Sequence, residues 1–76
     1  MTEQEWLNEF SDNLKSLLKD ALMTQRELAD DTNLSESVIS DYVNGRKLPG
    51  IRSILNISYS LDCDLHDLID FGERID

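Results

Sequence analysis

Residues 25–44 read QRELADDTNLSESVISDYVN, and this stretch decides the fold. It contains two helix starts separated by a turn. Thr24 stands three residues before Glu27, the spacing at which a threonine oxygen accepts a first-turn N–H while the glutamate reaches back to the cap. Leu28 and Ala29 are then the inward residues of a short helix that should stop near Asp31 or Thr32. Asn33 follows, a residue that tolerates the left-handed backbone of a sharp turn. Ser35 is a good N-cap for a further helix, on which Val38, Ile39 and Tyr42 share one side and Ser37, Ser40, Asp41 and Asn44 the other. Gly45 can close it.

Outward from this centre the chain continues to read as helix. Trp6, Leu7, Phe10, Leu14, Leu17, Leu18 and Ala21 recur at steps of three and four, which predicts an amphipathic helix over about residues 3–20. After Pro49 and Gly50, the apolar stripe Ile51, Ile54, Leu55, Ser58 and Leu61 predicts a fourth helix. Asp64 can cap a short fifth one, with Asp67 in its first turn, where negative charge suits the dipole, and Leu65, Leu68 and Ile69 facing inward. The prediction is an all-α domain of five helices. It spans residues 1–76, with residues 1–10 as an N-terminal extension and 71–76 as a tail. Trp6 and Phe10 in the extension are read as extra core, with a partner surface as the alternative.

Composition narrows the function. A chain of 76 residues has room for one small domain and a thin core. Its hydrophobic fraction of 39% is ordinary for a globular protein, and no run approaches the ~20 apolar residues that cross a bilayer. The acidic N-terminus lacks the basic-then-apolar order of a secretory signal, so a cytoplasmic location is expected. Cys63 has no partner for a disulfide. With His66 and Asp62, Asp64 and Asp67 it outlines a metal site, but one short of a second cysteine or histidine, so it reads instead as a small hydrophobe and no metal or cofactor is expected. One histidine, no glycine-rich phosphate loop and no nucleophile triad leave nothing for catalysis, and no enzymatic activity is expected.

Two short helices joined by a tight turn, with the small Ala29 available for close crossing, make a helix-turn-helix. In Gln25, Leu28, Ala29, Leu34, Ile39, Tyr42 and Asn44-Gly45 the stretch resembles the lambda-repressor-like family of regulators, the Cro and repressor type also called XRE. The resemblance extends over about residues 11–70, with Cys63 where that family usually has an aliphatic residue. It departs where the family commonly has glycine: here Leu22 precedes the second helix and Asn33 forms the turn. The resemblance implies a compact five-helix fold with the helix-turn-helix at helices 2 and 3. It also implies a sequence-specific transcriptional regulator, a repressor, whose third helix enters the major groove while the second crosses the phosphates. Carried over residue by residue, Ser35, Glu36, Ser37 and Asp41 would face bases. Gln25, Arg26, Asn44, Arg46 and Lys47 would meet phosphate oxygens.

The charge pattern bears on this independently. Asp and Glu number 10 in residues 1–43, none in 44–52 and 6 in 53–76, while Arg46, Lys47 and Arg52 lie in the acid-free window of a chain whose net charge is −9. Such polarity suits an acidic body with a basic contact rim for a double-stranded DNA operator. The helix itself offers Glu36 and Asp41 and no base, so cytosine N4 rather than guanine is its natural carboxylate contact. Few cationic contacts per copy make one copy weak and salt sensitive, and a homodimer on a palindromic operator is expected. Leu65, Ile69, Phe71 and Ile75 are the candidate dimer patch. The competing reading is a protein-interaction module, an antitoxin or antirepressor whose acidic surface engages a basic protein partner.

Overall fold

The structure, a computed structural model, describes residues 2–69. Five helices follow in order: α1 (Glu3–Asp20), α2 (Gln25–Thr32), α3 (Glu36–Val43), α4 (Ile51–Ser60) and α5 (Leu65–Leu68). No strand occurs among the described residues. α1 is a rod of 18 residues against which α3 and α5 pack, while α4 closes the opposite side against α2 and α5. Phe10, Leu14, Leu28, Ile39, Ile57, Leu68 and Ile69 are fully enclosed between them. Phe10 belongs to the core, with its ring edge-on to Tyr42 of α3, and Trp6 packs against the same cluster. The first turn of α1 is fixed by Thr2 and Glu5, whose Thr-x-x-Glu pattern repeats the Thr24–Glu27 capping box; in both, each backbone N–H meets the other residue's side-chain oxygen.

One stop signal ends the four longer helices. Met23, Leu34, Arg46 and Cys63 each donate a backbone N–H to the carbonyl five residues earlier, at Leu18, Ala29, Asp41 and Ser58. The residue just before each donor has a positive φ: Leu22 (55°), Asn33 (61°), Gly45 (69°) and Asp62 (52°). This is the Schellman arrangement, which satisfies orphan carbonyls at the cost of one left-handed residue. Glycine occupies that position only at Gly45. At Leu22 the cost falls on a branched side chain that is 89% exposed and gains almost nothing from packing. Leu22→Gly is therefore expected to stabilise the fold by about 0.5–1 kcal/mol, the relief of strain exceeding the added freedom of the unfolded chain. In a thermal melt that is a rise of about 4 °C. Asn33→Gly, by contrast, should move the melt little.

α4 differs from the expected stripe. Ile54, Ile57 and Ser58 are its buried residues and Leu61 is half-buried, whereas Ile51 is 66% and Leu55 37% exposed. Apolar residues occur all around this helix, so periodicity alone admits two stripes, and packing against α2 and α5 selects the one through Ile57. The proposed dimer patch fails in its described half. Ile69 is buried and Leu65 packs half-buried against the core, because α5 is a single turn that needs its apolar side chains to close the base of the domain. Asn13 holds that turn, donating from Nδ2 to the Leu68 carbonyl over 2.6 Å. Phe71 and Ile75 lie outside the described residues.

Candidate nucleic-acid interface

α3 is gripped from behind. Ile39, Tyr42 and Val43 are buried and Val38 is half-buried, so the inner arc of the helix is committed to α1 and α2. Ala29 of α2 is 96% enclosed, and with no side chain beyond Cβ it lets neighbouring helices approach closely. The far end of α3 is held by Ser11, a buried hydroxyl of α1 that donates to the Val43 carbonyl across 32 residues of sequence. Ser11 was not among the expected functional residues. Its signal was a polar residue at the fourth step from Leu7 on an otherwise apolar face, the position of a buried hydrogen-bonding group.

The outer arc carries short polar groups. Ser35, Glu36, Ser37 and Asn44 are exposed, and Ser40 and Asp41 are partly so. Ser35 caps the helix, its Oγ accepting the Val38 N–H at 3.1 Å, which leaves its O–H able to donate outward. Asp41 and Arg46 form an ion pair of 3.0 Å through Nε, and the Arg46 backbone N–H also donates to the Asp41 carbonyl at 2.8 Å. Arg46 reaches Ser40 Oγ at 3.4 Å, and Asn44 Nδ2 donates to the Ser40 carbonyl at 2.8 Å and to Ser40 Oγ at 3.2 Å. The chain reversal at Gly45 produces this cluster by folding Arg46 back over the last turn of α3. A spacing of five residues is invisible to helix-face rules, which pair residues three or four apart.

The pairing changes the electrostatics of the helix. Arg46 cancels one of the two acids on α3 and leaves Glu36 as its unpaired carboxylate among the described residues. With side chains 60% and 34% exposed, such a pair contributes little to stability, so its guanidinium can turn to a phosphate at small cost. Lys47 is exposed beside it. Gln25 and Arg26, in the first turn of α2, share no hydrogen bond or ion pair with this cluster among the described residues. Among the described residues there is no cluster of groups able to hold a metal ion, and no helix is long and apolar enough to cross a membrane. Cys63 is half-buried against the core, and burial first, then Asp67, Asp64 and Asp62, push its thiol above the usual range, which makes it a poor nucleophile.

Comparison with known proteins agrees with the fold. Over 60 residues, 79% of its length, the chain is 33% identical to the uncharacterized HTH-type transcriptional regulator YqaE of Bacillus subtilis (strain 168). It spans about half, 52%, of that relative. The solution structure of the SOS-response transcriptional repressor LexA from Eubacterium rectale superposes with a TM-score of 0.82 at 25% identity, over 100% of this chain and 82% of that one. The profile of the Cro/C1-type HTH DNA-binding domain matches residues 13–73, and the chain belongs to that family.

Proposed function

We propose that the protein is a transcriptional repressor that binds double-stranded DNA as a two-fold dimer, with α3 in the major groove. One observation carries the reading. A helix whose inner arc is locked by Ile39, Tyr42 and Val43 presents an outer arc of Ser35, Glu36, Ser37 and Asp41, with the arginine-neutralised end turned toward the cationic loop. Short side chains allow the helix axis close to the base edges, where Ser35 and Ser37 can donate or accept and the carboxylates accept from cytosine N4. Gln25, Arg26, Asn44, Arg46 and Lys47 are assigned to phosphates, which set register and orientation. Occupying a promoter in this way excludes polymerase, and the similarity to a LexA repressor domain supports that polarity.

Selection of the purified protein on random duplexes at moderate salt tests this. The expected product is a palindrome whose half-sites are centred about one helical turn, ~34 Å, apart, with cytosine prominent at the specified positions. Recovery of no enriched sequence would overturn the assignment.

A further inference from the structure

We infer, with α3 as the groove helix assigned above and resting on that assignment, that Asp41 sets specificity twice. It accepts from a base, and it withholds Arg46 from the phosphates of any duplex that lacks that base. Asp41 stands four residues beyond Ser37, on the same outer row of α3, so a helix lying in the groove carries this carboxylate along the base edges. Its Oδ1 is 3.0 Å from Arg46 Nε, and the Arg46 backbone N–H donates to the Asp41 carbonyl at 2.8 Å. Arg46 Nη2 donates to Ser40 Oγ at 3.4 Å, and Asn44 Nδ2 donates to the same oxygen at 3.2 Å. Arg26, Lys47 and Arg52 make no ion pair among the described residues. Of these cations, Arg46 is therefore the one whose charge is already engaged, and the acid that engages it is on the base-reading row.

The pair makes base and phosphate contacts depend on one another, because the guanidinium and the base edge compete for one carboxylate. Where the groove presents a cytosine N4 amino group, Asp41 accepts from it, the new bond offsets the loss of the old one, and Arg46 turns to a phosphate with its full charge. Over the acceptor edges of guanine or thymine two outcomes remain, and both weaken binding. Either Arg46 stays with Asp41 and a phosphate contact is lost, or it leaves and an unpaired acid faces the groove. A charge stranded by the wrong partner discriminates by repulsion as well as by attraction. Lys47 and Arg26, which hold no acid, give their contacts to every sequence alike. The strength of the pair suits this role. With side chains 60% and 34% exposed it holds Arg46 by at most about fivefold, which a single base contact can overcome. A buried pair would open for no base.

Salt titrations of the full chain on two duplexes read this directly: the duplex selected by the wild type, and the same duplex with its half-sites scrambled. Asp41→Ala, at a partly exposed helix position, should keep the helical circular dichroism. It should tighten binding to the scrambled duplex by about two- to fivefold per copy, as Arg46 joins the phosphates, and lower the ratio of selected to scrambled affinity. Loss of an acid also eases plain repulsion, so the same substitution is made in an Arg46→Gln background and the two are compared as a cycle. With Arg46 present, Asp41→Ala should steepen the slope of log affinity against log salt on the scrambled duplex by up to about 0.9 per copy more than it does in Arg46→Gln, the signature of one added phosphate contact. Equal slope changes in the two backgrounds would reduce Asp41 to a repulsive charge and overturn the inference, as would an Asp41→Ala variant with unaltered affinity for the scrambled duplex. Either result, with a wild type that still prefers its selected duplex, leaves the DNA assignment standing. A wild type that binds both duplexes alike would overturn the two together.

Discussion

Changing Arg46 and Lys47 together to glutamate is expected to lower affinity for a selected duplex by at least about a thousandfold and to flatten its salt dependence. Each phosphate contact contributes about 0.9 to the slope of log affinity against log salt, so a dimer losing two contacts per copy loses about 4 from that slope. Repulsion adds to the loss. Arg46→Glu also leaves Asp41 without its partner at 3.0 Å and places a new acid beside it, so the cationic end of α3 becomes an anionic one. Both residues are exposed, and the surface pair contributes at most about 1 kcal/mol, so the variant should remain folded. Lys15→Glu with Lys19→Glu, at exposed positions of α1, makes the same change in net charge and is the control. It should cost only the few-fold that long-range repulsion imposes at moderate salt. If the Arg46 and Lys47 variant bound as tightly as the wild type, the loop would not be a phosphate clamp, and the protein-partner reading of the acidic surface would gain.

The fold was legible in residues whose local chemistry admits one reading. Thr24 with Glu27, Ser35, and the three-and-four spacing from Leu7 to Leu18 place α1, α2 and α3 within a residue of their observed bounds. α4 shows where periodicity stops: with Ile51, Ile54, Leu55, Ile57 and Tyr59 spread around ten positions, only tertiary packing chooses the buried arc. The helix stops were partly concealed for a different reason. Glycine marks a left-handed residue in the sequence, but Leu22 and Asp62 adopt the same backbone because the Schellman bonds and the packing of the next helix outweigh their steric cost. At Leu22, where the family commonly has glycine, the chain makes the same left-handed stop as at Gly45 and carries the cost as strain. At the candidate interface, exposure of the outer arc of α3 followed from its amphipathic pattern. The Asp41–Arg46 pair and the Ser11 grip did not, since one depends on a chain reversal and the other on a contact 32 residues away.

Phe10→Ala is expected to cost about 3–5 kcal/mol, the largest loss from one side chain on α1. The ring has no exposed surface and sits within the core cluster, so its removal leaves a cavity there. It also meets Tyr42 edge-on, with centroids 5.9 Å apart and planes at 82°, a geometry that adds about 0.5–1.5 kcal/mol beyond burial. A domain of this size has about 4–11 kcal/mol of total stability, so the substitution removes a large part of it and should lower the melting temperature by about 15 °C or more. Phe10→Leu keeps most of the volume and should cost about 1–1.5 kcal/mol, leaving a folded protein in which the ring contact alone is missing. That variant separates two roles of the N-terminal ten residues. If they only add core, duplex affinity in Phe10→Leu should fall in proportion to the folded fraction, and at a temperature well below its melt it should match the wild type. If Phe10 instead sets the angle at which Tyr42 holds α3, affinity should fall several-fold while the protein remains fully folded. A loss below about 1 kcal/mol in Phe10→Ala would contradict its place in the core, and would return residues 1–10 to the role of a detachable partner surface.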